Sequence, residues 1–211
     1  MHSDESTLPD DPDDRLLVAG YRDDGALDDV IITHLDDPAA RRRVLALRAA
    51  SRRSLITDER WRRALADPDV DVRRESLALL AAAPSSSAAV VLDRVIAALG
   101  DDDALVVDAA AFALGEHLHD AAVDELIVVA SAHDDPRCRE SAIAALGAIG
   151  ADRARGIIIA ALDDRPAVRR RAIVALANFE GSDIDAALAR ARDDRDWQVR
   201  AAVDQLDRGD D

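Results

Sequence analysis

The sequence predicts an all-α fold: an α-solenoid, a right-handed superhelix of about six helix pairs. Three observations carry this. One phrase, an acid-rich turn followed by an aliphatic–arginine pair and then Ala and Leu, returns every 30–34 residues along the 211-residue chain. Its apolar residues recur at helical spacing, so they draw one stripe along a helix. The hydrophobic residues, 49% of the chain, are mostly Ala, Val, Leu and Ile, with only 2% aromatics; small aliphatics suit closely packed helices.

The clearest copies of the phrase are Asp67–Leu80 (DPDVDVRRESLALL), Asp163–Leu176 (DDRPAVRRRAIVAL) and His133–Leu146 (HDDPRCRESAIAAL), with a weaker one at Asp101–Leu114. Anchoring each copy on the residue before the arginine gives Ala40, Val72, Val106, Cys138, Val168 and Val199. From the anchors Val168 and Cys138 the positions +4 and +8 are apolar, Ala172 and Leu176 in one copy and Ala142 and Leu146 in the other. At the ends the pattern decays: Arg48 and Asp207 stand where inner copies have Leu, which fits capping repeats.

Two helices are expected per period. First helices are placed at 25–35, 57–66, 86–99, 120–132, 152–162 and 182–192, and second helices at 38–50, 70–83, 104–116, 136–149, 166–179 and 196–208. The repeats then span about 24–50, 56–83, 86–116, 119–149, 152–179 and 182–208, within one domain over 15–211. Asp37-Pro38, Asp67-Pro68 and Asp135-Pro136 each place a capping acid before a proline suited to a first helical turn. Gly100, Gly150 and Gly181 fall just past helix ends, where a left-handed residue is wanted. Residues 1–14 hold six acids and no base and read as a solvated tail; 15–22 read as a short capping helix.

The phrase "Asp, turn, Val-Arg-x-x-Ala-x-x-x-Leu" resembles the HEAT-repeat family over about residues 24–208, in particular the short, roughly 30-residue repeats of phycobilin lyases. The resemblance implies that the second helices line a concave face. It also implies a ladder of Asp–Arg contacts between successive repeats. Its acids would be Asp67, Asp101, Asp163 and Asp194, and its arginines Arg41, Arg73, Arg139, Arg169 and Arg200, with gaps at Leu35, Val107 and His133. HEAT-like deoxyhypusine hydroxylases carry repeated His-Glu pairs in these helices. The comparable positions here read Arg74-Glu75, Asp108-Ala109, Glu140-Ser141 and Arg170-Arg171, so that oxygenase reading lapses.

Charge narrows the function further. The chain has 36 Asp and 7 Glu against 27 Arg and no Lys, for a net −16, with acids in nearly every turn. This is the composition of a protein from a salt-accumulating halophile, and it opposes phosphate binding. Residues 41–74 run against the trend with a local +6, a candidate basic docking patch. No Gly-rich phosphate loop, HExxH or GxSxG is present. His117 and His119, beside Glu116 and Asp120, are two residues apart and would face different ways on a helix, so no metal site is expected. Cys138 fills an aliphatic anchor slot and reads as a buried hydrophobe. No stretch reaches the ~18 apolar residues of a membrane span, and the acidic N-terminus is unlike a signal peptide.

The resulting expectation is a non-catalytic protein-binding scaffold: cytoplasmic, monomeric, with no cofactor, no metal, no membrane contact and no nucleic-acid partner. Its concave partner face would present Arg42, Arg43, Arg74, Glu75, Asp108, Glu140, Arg170 and Arg171. The alternatives are a nucleic-acid-binding protein of the alkylpurine DNA glycosylase type and a lyase-like accessory subunit.

Overall fold

A computed structural model describes residues 9–22 and 24–209. Among these residues every regular element is helical. The chain divides into two compact units, Met1–Val91 and Leu92–Asp211. In each, helix pairs stack as in an α-solenoid.

The first unit holds α1 (Pro12–Ala19), α2 (Asp28–His34), α3 (Ala40–Arg52), α4 (Asp58–Leu65), α5 (Val70–Ala81) and α6 (Ser85–Val90). Helix α2 pairs with α3 and α4 with α5, while α3 stacks on α5 and α1 caps α3. Asp11 opens α1, its carboxylate accepting from the Asp13 and Asp14 amides at 2.8 and 3.2 Å. The capping helix thus begins within the stretch read as a tail; residues 1–8 lie outside the described residues. Leu16 and Ala19 bury beside Leu27, Ile31, Ala46, Ala49 and Ala50, which form the core of this end.

The second unit holds α7 (Leu92–Ala97), α8 (Ala104–Glu116), α9 (Val123–Ala132), α10 (Pro136–Ile149), α11 (Arg155–Ala160), α12 (Pro166–Leu176), α13 (Ser182–Ala191) and α14 (Trp197–Gly209). The second helices of successive pairs, α8, α10, α12 and α14, pack side by side. Their anchors Val106, Cys138, Val168 and Val199 are all fully buried. The close approach has a backbone cause. A Cβ on Gly115 would sit 2.9 Å from Ala145 Cα, and one on Gly147 would sit 2.7 Å from Ala175 Cα. Only hydrogen fits at either place.

The structure departs from the sequence expectations at three kinds of position. The helix expected over 86–99 breaks at Val91 (φ −117°, ψ 15°), within the pair Val90-Val91, whose β-branches crowd a helical turn. Of the three Asp-Pro pairs, only Asp135-Pro136 forms the expected cap. Asp67 instead accepts from the Asp69 amide, and Asp69 caps α5; Asp37 turns back onto the Ala39 amide in the same way. Gly150 is left-handed at the end of α10 (φ 70°) as expected, whereas Gly181 (φ 137°) precedes α13 and Gly100 has no positive φ.

Candidate functional site

Each second helix has two faces with different fates. In the inner second helices the anchor, +4 and +8 side chains are buried, and where an arginine follows the anchor it works within the stack. In the first unit Arg43 binds both carboxylate oxygens of Asp67, at 2.8 and 2.7 Å. Its remaining nitrogen caps the carbonyls of Asp37 and Pro38 at 2.8 and 3.2 Å. In the second unit Arg139 grips Asp164 at 2.7 and 2.6 Å and caps His133 and Asp134. Arg169 grips Asp194 at 2.9 and 2.7 Å and caps Asp164. Each guanidinium therefore closes its own turn and the next one, using the planar fork that Arg alone offers. Hydrogen bonds from Arg139 and Arg169 hold the Asp164 and Asp194 carboxyls below the usual range.

Two members of the ladder differ from expectation. Arg43, not Arg41, is the first rung. Arg41 is 81% exposed and pairs with Asp13. The register of the first repeat is shifted by two residues: its anchor is Arg42, its buried stripe continues at Ala46 and Ala50, and Asp37 fills the slot assigned as a gap at Leu35. Likewise Asp164, not Asp163, meets Arg139; Asp163 is exposed, 3.5 Å from Arg190. Arg73 caps the carbonyls of Asp67 and Pro68, Arg200 that of Asp194, and Asp101 accepts from the Asp103 amide. At the expected gap, Val107 is fully buried and the His133 ring nitrogen takes over the turn bond from the Asp135 amide at 3.1 Å.

The Arg-rich stretch is largely paired, by acids outside it (Asp13, Asp28, Asp36, Asp37 and Glu75) and by its own. Arg42 pairs with Asp13 and Asp37, Arg53 with Asp28, and Arg63 with Asp36 and Glu59. Arg48 forms a two-point pair with Glu75 at 2.6 and 2.7 Å, and Arg74 lies 2.9 Å from Asp71. The local +6 is a count along the sequence, and folding brings carboxylates onto most of it. Arg43 in particular is spent in the ladder, only 14% exposed, and has no freedom to meet a partner.

The open face of the second unit has another character. Phe112 is 55% exposed, Val174 48% and Trp197 66%. Beside them lie Glu140, Arg170 and Arg171 of the expected partner face, and Asp108 is reached through Ser141. Ser141 donates to Asp108, Glu140 stands 3.6 Å from Arg171, and Arg170 donates to the Gln198 side chain at 3.2 Å. A cavity of about 230 Å³ opens here, walled by Phe112, Glu116, Glu140 and Arg171 over a floor that includes Ala144 and Ala148. A second, of about 340 Å³, lies between Arg170, Arg171, Val174, Trp197 and Gln205. Phe112 and Trp197 are not among the residues the sequence places on the partner face. Their signal was position: Phe112 is six residues after its anchor and Trp197 two before, both off the buried stripe.

The titratable groups singled out elsewhere are structural. Cys138 donates to the Ala104 carbonyl at 3.1 Å, and burial pushes its thiol up to about 11. His117 and His119 do not lie on one helix. Helix α8 ends at Glu116, Leu118 is left-handed (φ 53°), and the two rings approach to 5.8 Å. Burial, then the charge of His117, pulls the His119 pKa down. Among the described residues no group of three or more His, Cys, Asp or Glu is gathered so as to hold a metal ion.

Stacked helix pairs tied by an Asp–Arg ladder define an α-helical repeat protein. The HEAT-repeat profile matches residues 92–177 and 123–207, more than half of the chain, and the chain belongs to that family. Among solved structures it is similar to YibA of Escherichia coli (19% identity, TM-score 0.64, 89% of this chain and 71% of that one). It is also similar to a designed armadillo repeat protein solved with the peptide (KR)4 (15%, 0.61, 83% and 96%). A third similar structure is human deoxyhypusine hydroxylase (21%, 0.50, 81% and 70%). No curated protein matches the sequence.

Proposed function

We propose that this protein is a non-catalytic binding scaffold whose second helices hold an extended peptide segment of a protein partner. The observation that carries the reading is that Phe112, Val174 and Trp197, all exposed, line two cavities that share Arg171 on one open face of the second unit. Large side chains left in water beside charged groups are what a peptide interface uses as anchors. The designed armadillo neighbour holds a peptide on a fold of this kind. The partner face is thereby centred on Asp108, Glu140, Arg170 and Arg171. Arg42, Arg74 and Glu75 are secondary, because carboxylate or arginine neighbours already engage them. The lysine-free, acid-rich composition suits a cytoplasm of high salt, where apolar anchors outlast exposed ion pairs.

The test is selection of a random peptide library on the immobilised full chain in ~2 M KCl, where the Debye length is below about 3 Å. Enriched peptides should be lost on a Phe112→Ser/Trp197→Ser variant of unchanged helicity. Absence of enrichment, or equal retention by the variant, overturns the reading.

A further inference from the structure

The two cavities on the open face of the second unit share Arg171 but differ in sign. The first joins the exposed ring of Phe112 to two carboxylates, Glu116 and Glu140. Glu116 is the last residue of α8, where the negative end of the helix dipole adds to its charge. The Glu140–Arg171 separation of 3.6 Å is longer than a hydrogen bond, so Glu140 keeps lone pairs for a donor. Alanines on the floor leave room for an alkyl stem. The volume, about 230 Å³, is below that of a drug-sized pocket and suits one side chain. A ring face beside carboxylates is the environment that attracts a guanidinium or ammonium. The second cavity reverses this: Arg170 and Arg171 flank Trp197, with Gln198 and Gln205 as amide partners. Two guanidiniums beside an aromatic platform recognise a carboxylate.

We infer that this face reads a bipolar peptide segment: one Arg or Lys seated against Phe112 between Glu116 and Glu140, and one Asp, Glu or terminal carboxylate on Arg170 and Arg171 beside Trp197. This rests on the scaffold reading and assigns its partner's chemistry. The spacing follows from packing. The cavities are two helix spacings apart, about 16–20 Å at the usual interaxial distance. An extended chain advances about 3.3 Å per residue, which puts the two charges about five to six residues apart.

The experiment uses labelled nonapeptides and the full chain, read by fluorescence anisotropy in ~0.2 and ~2 M KCl. One peptide carries Arg and Asp five residues apart on an otherwise uncharged background. Its comparators carry Arg alone, Asp alone, or both at a spacing of two. The bipolar peptide should bind at least about tenfold tighter than each comparator. Glu116→Gln/Glu140→Gln should erase the preference for Arg while leaving the Asp-only peptide unchanged, and Arg170→Gln should do the converse. Equal affinity for all four peptides, or a preference that these variants leave intact, overturns the inference. Library selection separates the two failures. Peptides that depend on Phe112 and Trp197 but lack the charge pair defeat the inference and spare the scaffold. No enriched peptide defeats both.

Discussion

One guanidinium at each described rung makes contacts that a lysine could not. Arg43, Arg139 and Arg169 each hold a carboxylate at two points and a carbonyl of their own turn at a third. Arg169 is the most enclosed, its side chain 4% exposed. Removing one partner from so enclosed a pair leaves an unmatched charge, and Arg43→Ala or Arg169→Ala should each cost about 3 kcal/mol in urea unfolding. Arg41→Ala should stay within about 0.5 kcal/mol, because Arg41 lies in solvent. Equal costs for Arg41 and Arg43 would refute the two-residue shift. The shift was illegible in the sequence for a plain reason. Arg41, Arg42 and Arg43 are consecutive and the anchor itself is one of them, so no aliphatic marks the register. Asp163 and Asp164 pose the same ambiguity. The ladder also sets an acid limit. Asp164 and Asp194 have folded pKa values below their unfolded ones, held there by Arg139 and Arg169. Their stabilisation is complete above the unfolded carboxylate pKa, about 4, and is lost as pH falls through the folded values. Unfolding monitored by circular dichroism from pH 7 to 2 should steepen below about pH 4. In Arg139→Met/Arg169→Met that segment of the curve should flatten.

Helix positions were legible because burial imposes a period that residue identity alone does not. Second helices α5, α8 and α10 start where the anchors place them, and α8 and α10 also end as expected, at Glu116 and Ile149. The break at Val91 and the identity of the caps were harder, since a turn such as Asp-Pro-Asp holds two acids able to cap and only geometry chooses. Half of the proposed partner face follows from sequence position alone, as the residues two and three after the anchors. The other half does not: Phe112 and Trp197 enter the proposal only because neighbouring helices leave them uncovered. What sets the helix spacing can be tested at three glycines. Gly147→Ala drives a methyl into Ala175 of the next second helix and should lower stability by about 1–3 kcal/mol. Gly156, in α11, faces open space, and Gly156→Ala should raise stability by about 0.5–1 kcal/mol through helix propensity. Gly150→Ala meets no atom, yet it forces a left-handed alanine and should cost about 1 kcal/mol. A Gly147→Ala variant as stable as Gly156→Ala would mean that α10 and α12 are not in tight backbone contact.

At the scale of the whole molecule, the net charge of −16 and the ion pairs pull in opposite directions as salt is added. Unpaired surface acids repel one another, and that repulsion is long-ranged in dilute salt; at ~1 M the Debye length shrinks to about 3 Å. Screening therefore removes a destabilising field. It also weakens exposed pairs such as Arg63–Glu59 and Arg153–Asp120, but each of these contributes only about 0–1 kcal/mol. The ladder pairs, at 2.6–2.9 Å and mostly enclosed, are screened least. The balance favours salt. Tm should rise by several degrees between ~0.1 and ~3 M KCl, with most of the rise complete by ~1 M, where screening is already short-ranged. Replacing KCl by a neutral osmolyte at matched water activity separates charge screening from general exclusion effects, because an osmolyte strengthens burial without screening. A Tm that is flat or falls with KCl, or that rises equally with the osmolyte, would show that self-repulsion of the acids does not govern the stability of this fold.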